Sequence, residues 1–190
     1  MGAFDHIVLL LSFVYALATA HLLSTTALII RESAHVRFSG IHAFWMVNAL
    51  AVIMANWIGF WDMRGLPAWN VASIFFTFLT SFTNYLQAAL VCPEVKQGEP
   101  LDLVEFAARQ RTRYVGAALA SVVMAGVGNA VYGAIFGNLT LDIENFAVVP
   151  MLAAVLAALI WPQRQVQWAV AGVLTVNWIV YFAGIQPALK

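Results

Sequence analysis

Histidines are the residues of this sequence that could most readily bind a metal or move a proton, and they are His6, His21, His35 and His42. His21 lies inside the first long apolar stretch, where an ionisable side chain is a functional candidate. His42 begins the second stretch at a similar depth. Two histidines on neighbouring helices are typical ligands of haem or of a metal ion. No His-x-x-His or Cys-His motif accompanies the pair, so we predict no cofactor and no metal, with haem ligation by His21 and His42 as an alternative.

The third apolar stretch carries many uncharged polar side chains, mostly three or four residues apart. They are Asn70, Ser73, Thr77, Thr80, Ser81, Asn84 and Gln87. At 100° per residue of an α-helix they fall within a strip of about 120°. Polar groups cannot face hydrocarbon, so the strip must face other helices or water. The pattern predicts a polar path or binding cavity, or alternatively a ladder of hydrogen bonds between helices, each contributing about 0.6 kcal/mol.

The second stretch has a face that could oppose this strip. His42, Trp45, Asn48 and Asn56 lie within a second arc of about 120°. Asn177 on the sixth stretch could add to the same interior, and so could His21 from the first. Because buried amide groups are costly without partners, we expect these side chains to contact one another or a ligand.

The fourth stretch has small residues at intervals of four. The series is Ala117, Ser121, Ala125, Asn129, Gly133 and Gly137. Small side chains at this spacing let two helix backbones approach closely. The pattern predicts close helix packing, either within the chain or in a homodimer.

The stretches that carry these residues are long enough to cross a bilayer. Of the 190 residues, 63% are hydrophobic and 9% are charged, whereas soluble domains carry about 25% charged residues. A helix needs roughly 20 apolar residues to span the hydrocarbon core. Six stretches qualify, at 5–30, 41–62, 69–92, 114–137, 145–161 and 167–188. We therefore predict an all-α fold: a polytopic transmembrane helix bundle of about six spans, forming one integral membrane domain over residues 1–190.

The fifth stretch is the shortest of the six, and Pro150 interrupts it. It could therefore be a kinked span or a re-entrant segment.

Basic residues predict the orientation of the bundle. The first, third and fifth connections carry Arg31, Arg37, Lys96, Arg109, Arg111, Arg113 and Arg164, and the opposite side carries Arg64 and Lys190. Basic residues concentrate on the cytoplasmic side, so both termini are predicted on the non-cytoplasmic side, in a membrane that we expect to be a bacterial inner membrane. Tryptophans expected at the membrane interfaces are Trp45, Trp61, Trp69, Trp161 and Trp168.

The third connection is long enough to form a helix of its own. Pro100 suits the first helical position, Asp102 and Glu105 suit the first turns, and Glu105 lies four residues before Arg109. We predict a short interfacial helix on the cytoplasmic side that runs into the fourth span, with its arginines near head groups.

These features leave three classes of function. The leading one is a transporter or channel with a polar path along the third span. The second is a non-enzymatic membrane subunit that assembles with itself or with a larger complex. The third is a haem- or metal-binding redox protein. The absence of a nucleophile or phosphate-loop motif disfavours an enzyme. The formal net charge of zero gives no indication of a nucleic-acid partner, so the predicted partner is the lipid bilayer.

Overall fold

A computed structural model of the protein describes residues 3–60, 62–65, 69–136 and 143–185. Within these residues the chain forms six α-helices, which confirms the all-α fold. They are α1 (Ala3–Arg31), α2 (Gly40–Gly59), α3 (Val71–Val91), α4 (Leu103–Phe136), α5 (Ile143–Ile160) and α6 (Arg164–Ile185). The connections contain the strands β1 (Val36–Arg37) and β2 (Leu101–Asp102), and short 3-10 turns at Ser33–His35 and Asp62–Gly65.

Five of these helices, α1, α2, α3, α4 and α6, are long and apolar enough to cross a membrane. The apolar part of α5 over Ala147–Ile160 is shorter. Pro150 lies inside α5 without ending it. Large apolar side chains are exposed along the outside of the bundle, as expected where lipid is the solvent. The protein therefore has the helices of a multi-pass integral membrane protein.

The helix starts are set by polar caps. The Ser39 hydroxyl accepts a hydrogen bond from the backbone N–H of His42 at 3.3 Å. Asn70 and Ser73 form a capping box at the start of α3. In α4, Oδ1 of Asp102 accepts from the N–H groups of Val104 and Glu105 at 2.8 and 3.0 Å. The first N–H groups of a helix have no carbonyl partner within the helix, so a side-chain oxygen that accepts from them stabilises the helix start.

The predicted interfacial helix is the first part of α4, which runs unbroken into the fourth span. It begins at Leu103, and Pro100 lies before it, because Leu101 and Asp102 pair with β1 instead. The expected contact between Glu105 and Arg109 is present at 3.4 Å.

Packing places α2 and α3 at the centre of the bundle. α3 lies against α1, α2 and α4, and α2 also contacts α1, α4 and α6. α5 packs between α4 and α6. Residues of α3 that face inward therefore meet three other helices, which is the arrangement that a polar strip in a membrane requires.

The connections that carry most of the basic residues meet at one end of the bundle, which we call the basic end. There β1 and β2 pair in parallel, with Arg37 opposite Asp102, and their side chains form an ion pair of 2.9 Å. The fifth connection lies at the same end, since a Cβ on Gly40 would stand 3.0 Å from the ring of Trp168.

Candidate functional site

The inward face of α3 is polar and buried. Its buried polar residues are Thr77, Thr80, Ser81, Asn84 and Gln87, none more than 7% exposed. Asn70 is exposed and Ser73 half-buried, because both cap the helix start. The opposite face presents Phe75, Leu79 and Phe82 to the outside. The phase of the strip thus agrees with the phase of burial along the helix.

Tyr15 of α1 reaches into this strip near the middle of the bundle. The Tyr15 hydroxyl is the acceptor for Ser81 Oγ at 3.2 Å and for Asn84 Nδ2 at 3.3 Å. Sequence analysis missed Tyr15. The feature that could have indicated it is its position: Tyr15 lies halfway along an apolar stretch, far from the interfaces where tyrosine is usually found.

The two threonines of the strip have partners close by. Thr77 donates to the carbonyl of Ser73 at 2.7 Å, and its hydroxyl lies 3.2 Å from that of Tyr132 in α4. Thr80 donates to the carbonyl of Phe76 at 3.0 Å. The hydroxyls of Thr77 and Thr80 therefore have hydrogen-bond partners within the protein and need no ligand.

Further along α3 the pairing is incomplete. Gln87 makes no side-chain hydrogen bond with any residue that the structure describes, through either its amide nitrogen or its oxygen. Within the same described part of the chain, Asn84 Oδ1 and Ser121 Oγ also lack partners. All three side chains are at most 2% exposed. Three buried residues therefore offer unused hydrogen-bonding atoms.

Ser121 of α4 lies at about the depth of Gln87. Thr77, near the start of α3, contacts Tyr132, near the end of α4, so the two helices run in opposite directions. Gln87 is ten residues beyond Thr77, and Ser121 is eleven residues before Tyr132. At a rise of 1.5 Å per residue these steps are about 15 and about 16 Å. We call Tyr15, Ser81, Asn84, Gln87 and Ser121 the polar centre.

The polar centre extends from the middle of α3 toward its end at Val91 and carries no charge. Ser81 is the middle residue of α3, which runs from Val71 to Val91. The available groups are the amide of Gln87, the carbonyl oxygen of Asn84 and the hydroxyl of Ser121. Such groups can orient a neutral solute by hydrogen bonds, since they include both donors and acceptors.

An aromatic layer closes the interior on the basic-end side. His42 Nε2 lies 2.8 Å from the carbonyl oxygen of Val91, and the His42 ring meets Phe106 edge-on at 5.3 Å. The ring centroids of Trp45 and Tyr114 are 5.7 Å apart. His42, Trp45 and Tyr114 are at most 1% exposed. We call His42, Trp45, Phe106 and Tyr114 the aromatic layer.

Placing Trp45 at a membrane interface was therefore wrong, since its ring is buried against α4. Trp161 and Trp168 are exposed, and Trp69 is half-buried. Trp61 lies outside the described residues.

The other predicted amides do not gather at the polar centre. Asn48 Oδ1 accepts from the indole N–H of Trp178 at 2.9 Å, which joins α2 to α6. Asn56 donates to the carbonyl of Val52 in its own helix at 2.9 Å. Asn177 is half-buried, and its amide nitrogen has no partner among the described residues.

The two histidines proposed as alternative ligands differ in their surroundings. The side chain of His21 is exposed on α1, whereas His42 is fully buried. Among the residues that the structure describes, no three His, Cys, Asp or Glu side chains form a group that could hold a metal.

The small residues of α4 differ in their surroundings. Ser121 is buried, Ala125, Asn129 and Gly133 are half-buried, and Gly137 lies outside the described residues. Two glycines outside the predicted series make close approaches. A Cβ on Gly126 would stand 3.1 Å from Val148 of α5, and one on Gly128 would stand 3.4 Å from the ring of Phe76.

Arg111 binds the end of α5 instead of lying free among head groups. Its Nη1 donates to the carbonyl oxygens of Ala158 and Leu159, the latter at 2.9 Å. Gln167 Nε2 donates to the carbonyls of Ala158 and Trp161, both at 2.9 Å. The last carbonyls of a helix need such donors. These two side chains therefore tie α4, α5 and α6 together.

Comparison of the chain with models of known protein families, with curated proteins and with solved structures finds no match.

Proposed function

We propose that this protein is a small multi-pass membrane transporter whose solute binds at the polar centre. The solute is small, uncharged and able to donate and accept hydrogen bonds. The single observation that carries this proposal is Gln87, buried about one turn before the end of α3 at Val91, with both amide atoms unused by the residues that the structure describes. The basic end faces the cytoplasm in this proposal, by the distribution of its arginines, and both termini face away from it.

A bound solute explains the unpaired amide of Gln87 better than a ladder of hydrogen bonds between helices does. A ladder stabilises a bundle because its polar groups pair with one another, as Thr77 pairs with Tyr132. An unpaired buried polar group instead costs about 1–3 kcal/mol. Gln87, Asn84 and Ser121 would all gain partners from one bound solute, and the cost of their burial would then be offset.

The aromatic layer favours a transporter over an open channel. His42 and Trp45 of α2 close the path between the polar centre and the basic end. Opening this side requires α2 to separate from Val91 of α3 and from Tyr114 of α4. Movement of one helix against its neighbours around a buried site is the general principle of alternating access.

A membrane subunit is the second candidate, and Gly172 favours it. Gly172 is exposed on α6, and a Cβ there would have no atom within 4 Å. A small residue on an outer face allows the helix of another protein to approach. In this case the chain would be isolated with a partner, or as an oligomer, and without a polar solute.

The first experiment is native mass spectrometry of protein gently extracted from its own membrane. The transporter predicts a non-lipid adduct on wild type and on Asn56→Leu, and loss of the adduct in Gln87→Leu. Asn56→Leu is the matched control, since the amide of Asn56 donates to the carbonyl of Val52 in its own helix. Liposome flux of glycerol, urea and a neutral monosaccharide then tests transport with the same variants. An adduct and a flux that survive Gln87→Leu in correctly inserted protein would contradict the proposal.

A further inference from the structure

An open apolar groove runs between α5 and α6 on the outside of the bundle. It has a volume of about 480 Å³. Its lining is made of small or branched apolar side chains, a proline and a tryptophan: Pro150, Ala153, Ala154, Ala157, Trp161, Val166, Ala169, Val170 and Val173. None of these residues belongs to the polar centre. The alanines leave room between the two helices that larger side chains would fill.

The size of the groove decides what can lie in it. From Pro150 to Trp161 along α5 is eleven residues, about 16 Å, which is close to half of the ~30 Å hydrocarbon core. A volume of about 480 Å³ spread over this length makes a narrow groove on the scale of a hydrocarbon chain. A hydrocarbon chain fits this groove, and the length is that of one leaflet.

The end of the groove at Trp161 is cationic. Residues 161–168 include Arg164 and no acidic residue, and Arg164 is exposed. A second guanidinium, that of Arg111, lies within one turn of the lining residue Ala157, on the carbonyls of Ala158 and Leu159. Exposed tryptophans at 161 and 168 are typical of the head-group level. Apolar walls that lead to an exposed arginine complement an anionic amphiphile.

We propose that this groove binds one anionic phospholipid from the leaflet at the basic end. One acyl chain lies along Ala153, Ala157 and Ala169, and the phosphate contacts the guanidinium of Arg164. The site does not depend on the transporter proposal, because no group of the polar centre takes part in it.

Native mass spectrometry tests this site on protein reconstituted in vesicles of equal phosphatidylglycerol and phosphatidylcholine. Wild type should retain one phosphatidylglycerol in preference to phosphatidylcholine. Arg164→Gln should reduce this preference about fivefold, the effect of one basic residue near an anionic surface. Arg31→Gln, which removes an exposed arginine of the first connection, is the matched control and should leave the preference unchanged.

Filling the groove tests the acyl chain separately. Ala153→Phe should abolish retention of both lipids, and Ala169→Phe does the same from the opposite wall. Both alanines are exposed, so the fold should accept the larger side chain. Ala20→Phe on the exposed face of α1 is the control. Retention of the lipid by both groove variants would overturn the proposal. An equal effect of Arg31→Gln and Arg164→Gln would also overturn it, as would a dimer that the groove variants dissociate.

Discussion

The polar centre and the connections at the basic end differ in how far their polar groups have hydrogen-bond partners. At the basic end, the Asp102 carboxylate binds Arg37 and two backbone N–H groups. The carbonyls at the end of α5 are bound by Arg111 and Gln167. In the polar centre, Gln87 has no side-chain partner within the described part of the chain. The contacts at the basic end bind charged groups and helix ends, whereas the amide of Gln87 stays unpaired inside the bundle.

The two regions therefore affect the stability of the bundle in different ways. The contacts of Asp102, Arg111 and Gln167 Nε2 at the basic end stabilise the connections and the helix ends, because their donors meet acceptors. Unpaired groups inside the bundle, such as the amide of Gln87, destabilise the solute-free protein, since neither lipid nor packed helices can satisfy them. A loss of stability at a functional site is a common trade-off, and it agrees with the solute binding proposed for the polar centre.

The largest effect should come from breaking the pairing at the end of α5. Arg111→Met should lower the free energy of unfolding by about 2–4 kcal/mol, because the carbonyls of Ala158 and Leu159 lose a charged donor. Unfolding in detergent micelles, followed by circular dichroism, measures this. Arg113→Met is the control, since Arg113 is exposed. Equal losses from both variants would mean that the carbonyl contacts of Arg111 contribute nothing.

An opposite and smaller effect is expected in the polar centre. Gln87→Leu should raise the free energy of unfolding of the solute-free protein by about 1–2 kcal/mol, because it removes buried groups without partners. The same unfolding measurement applies. Asn56→Leu should give no gain, since Asn56 already bonds the carbonyl of Val52. A fall in stability for Gln87→Leu would show that Gln87 belongs to a satisfied hydrogen-bond ladder.

The smallest effect concerns pH and Asp102. Hydrogen bonds from Glu105 N–H, the Arg37 guanidinium and Val104 N–H hold the pKa of Asp102 below its usual value of 3.8. The unfolded chain therefore takes up this proton at a higher pH than the folded chain. The stability advantage of wild type over Asp102→Asn should be complete above about pH 5 and shrink as the pH falls below about 3.8.

Melting curves of both proteins between about pH 3 and about pH 7 measure this difference. Glu99→Gln is a control, since Glu99 and its partner Lys96 are both exposed in an ion pair of 3.9 Å. An advantage of wild type over Asp102→Asn that does not change across this range would contradict the role of the carboxylate.

Periodicity predicted the inward face of α3 correctly from Thr77 to Gln87. The first two polar residues of the strip, Asn70 and Ser73, instead cap the helix. An Asn followed three residues later by a serine fits both a polar strip and a helix cap, so spacing could not separate the two uses. Charge likewise indicated that the first and third connections lie at one end, where β1 and β2 meet.

Partners between distant helices could not be predicted from the sequence. Tyr15 binds residues 66 and 69 positions away, and Arg111 binds carbonyls 47 and 48 positions away. Each choice depends on how neighbouring helices rotate and slide against one another. The residue pattern within one helix does not indicate how that helix is rotated and shifted against its neighbours. Gly126 and Gly128 illustrate the same point, because their close approaches to Val148 and Phe76 were not indicated by the regular series of small residues.

The sequence by itself determined the helices, their apolar outer faces and the polar face of α3, because these follow from hydropathy and the helical period within single segments. Only the tertiary structure decided which polar atoms are paired. Gln87 and Thr77 look alike in the sequence as members of one strip. Tyr132 and the carbonyl of Ser73 satisfy Thr77, whereas the helices around Gln87 bring no donor or acceptor within reach in the part of the chain described. A hydrogen bond needs two groups within about 3.5 Å, and helix packing alone sets that distance.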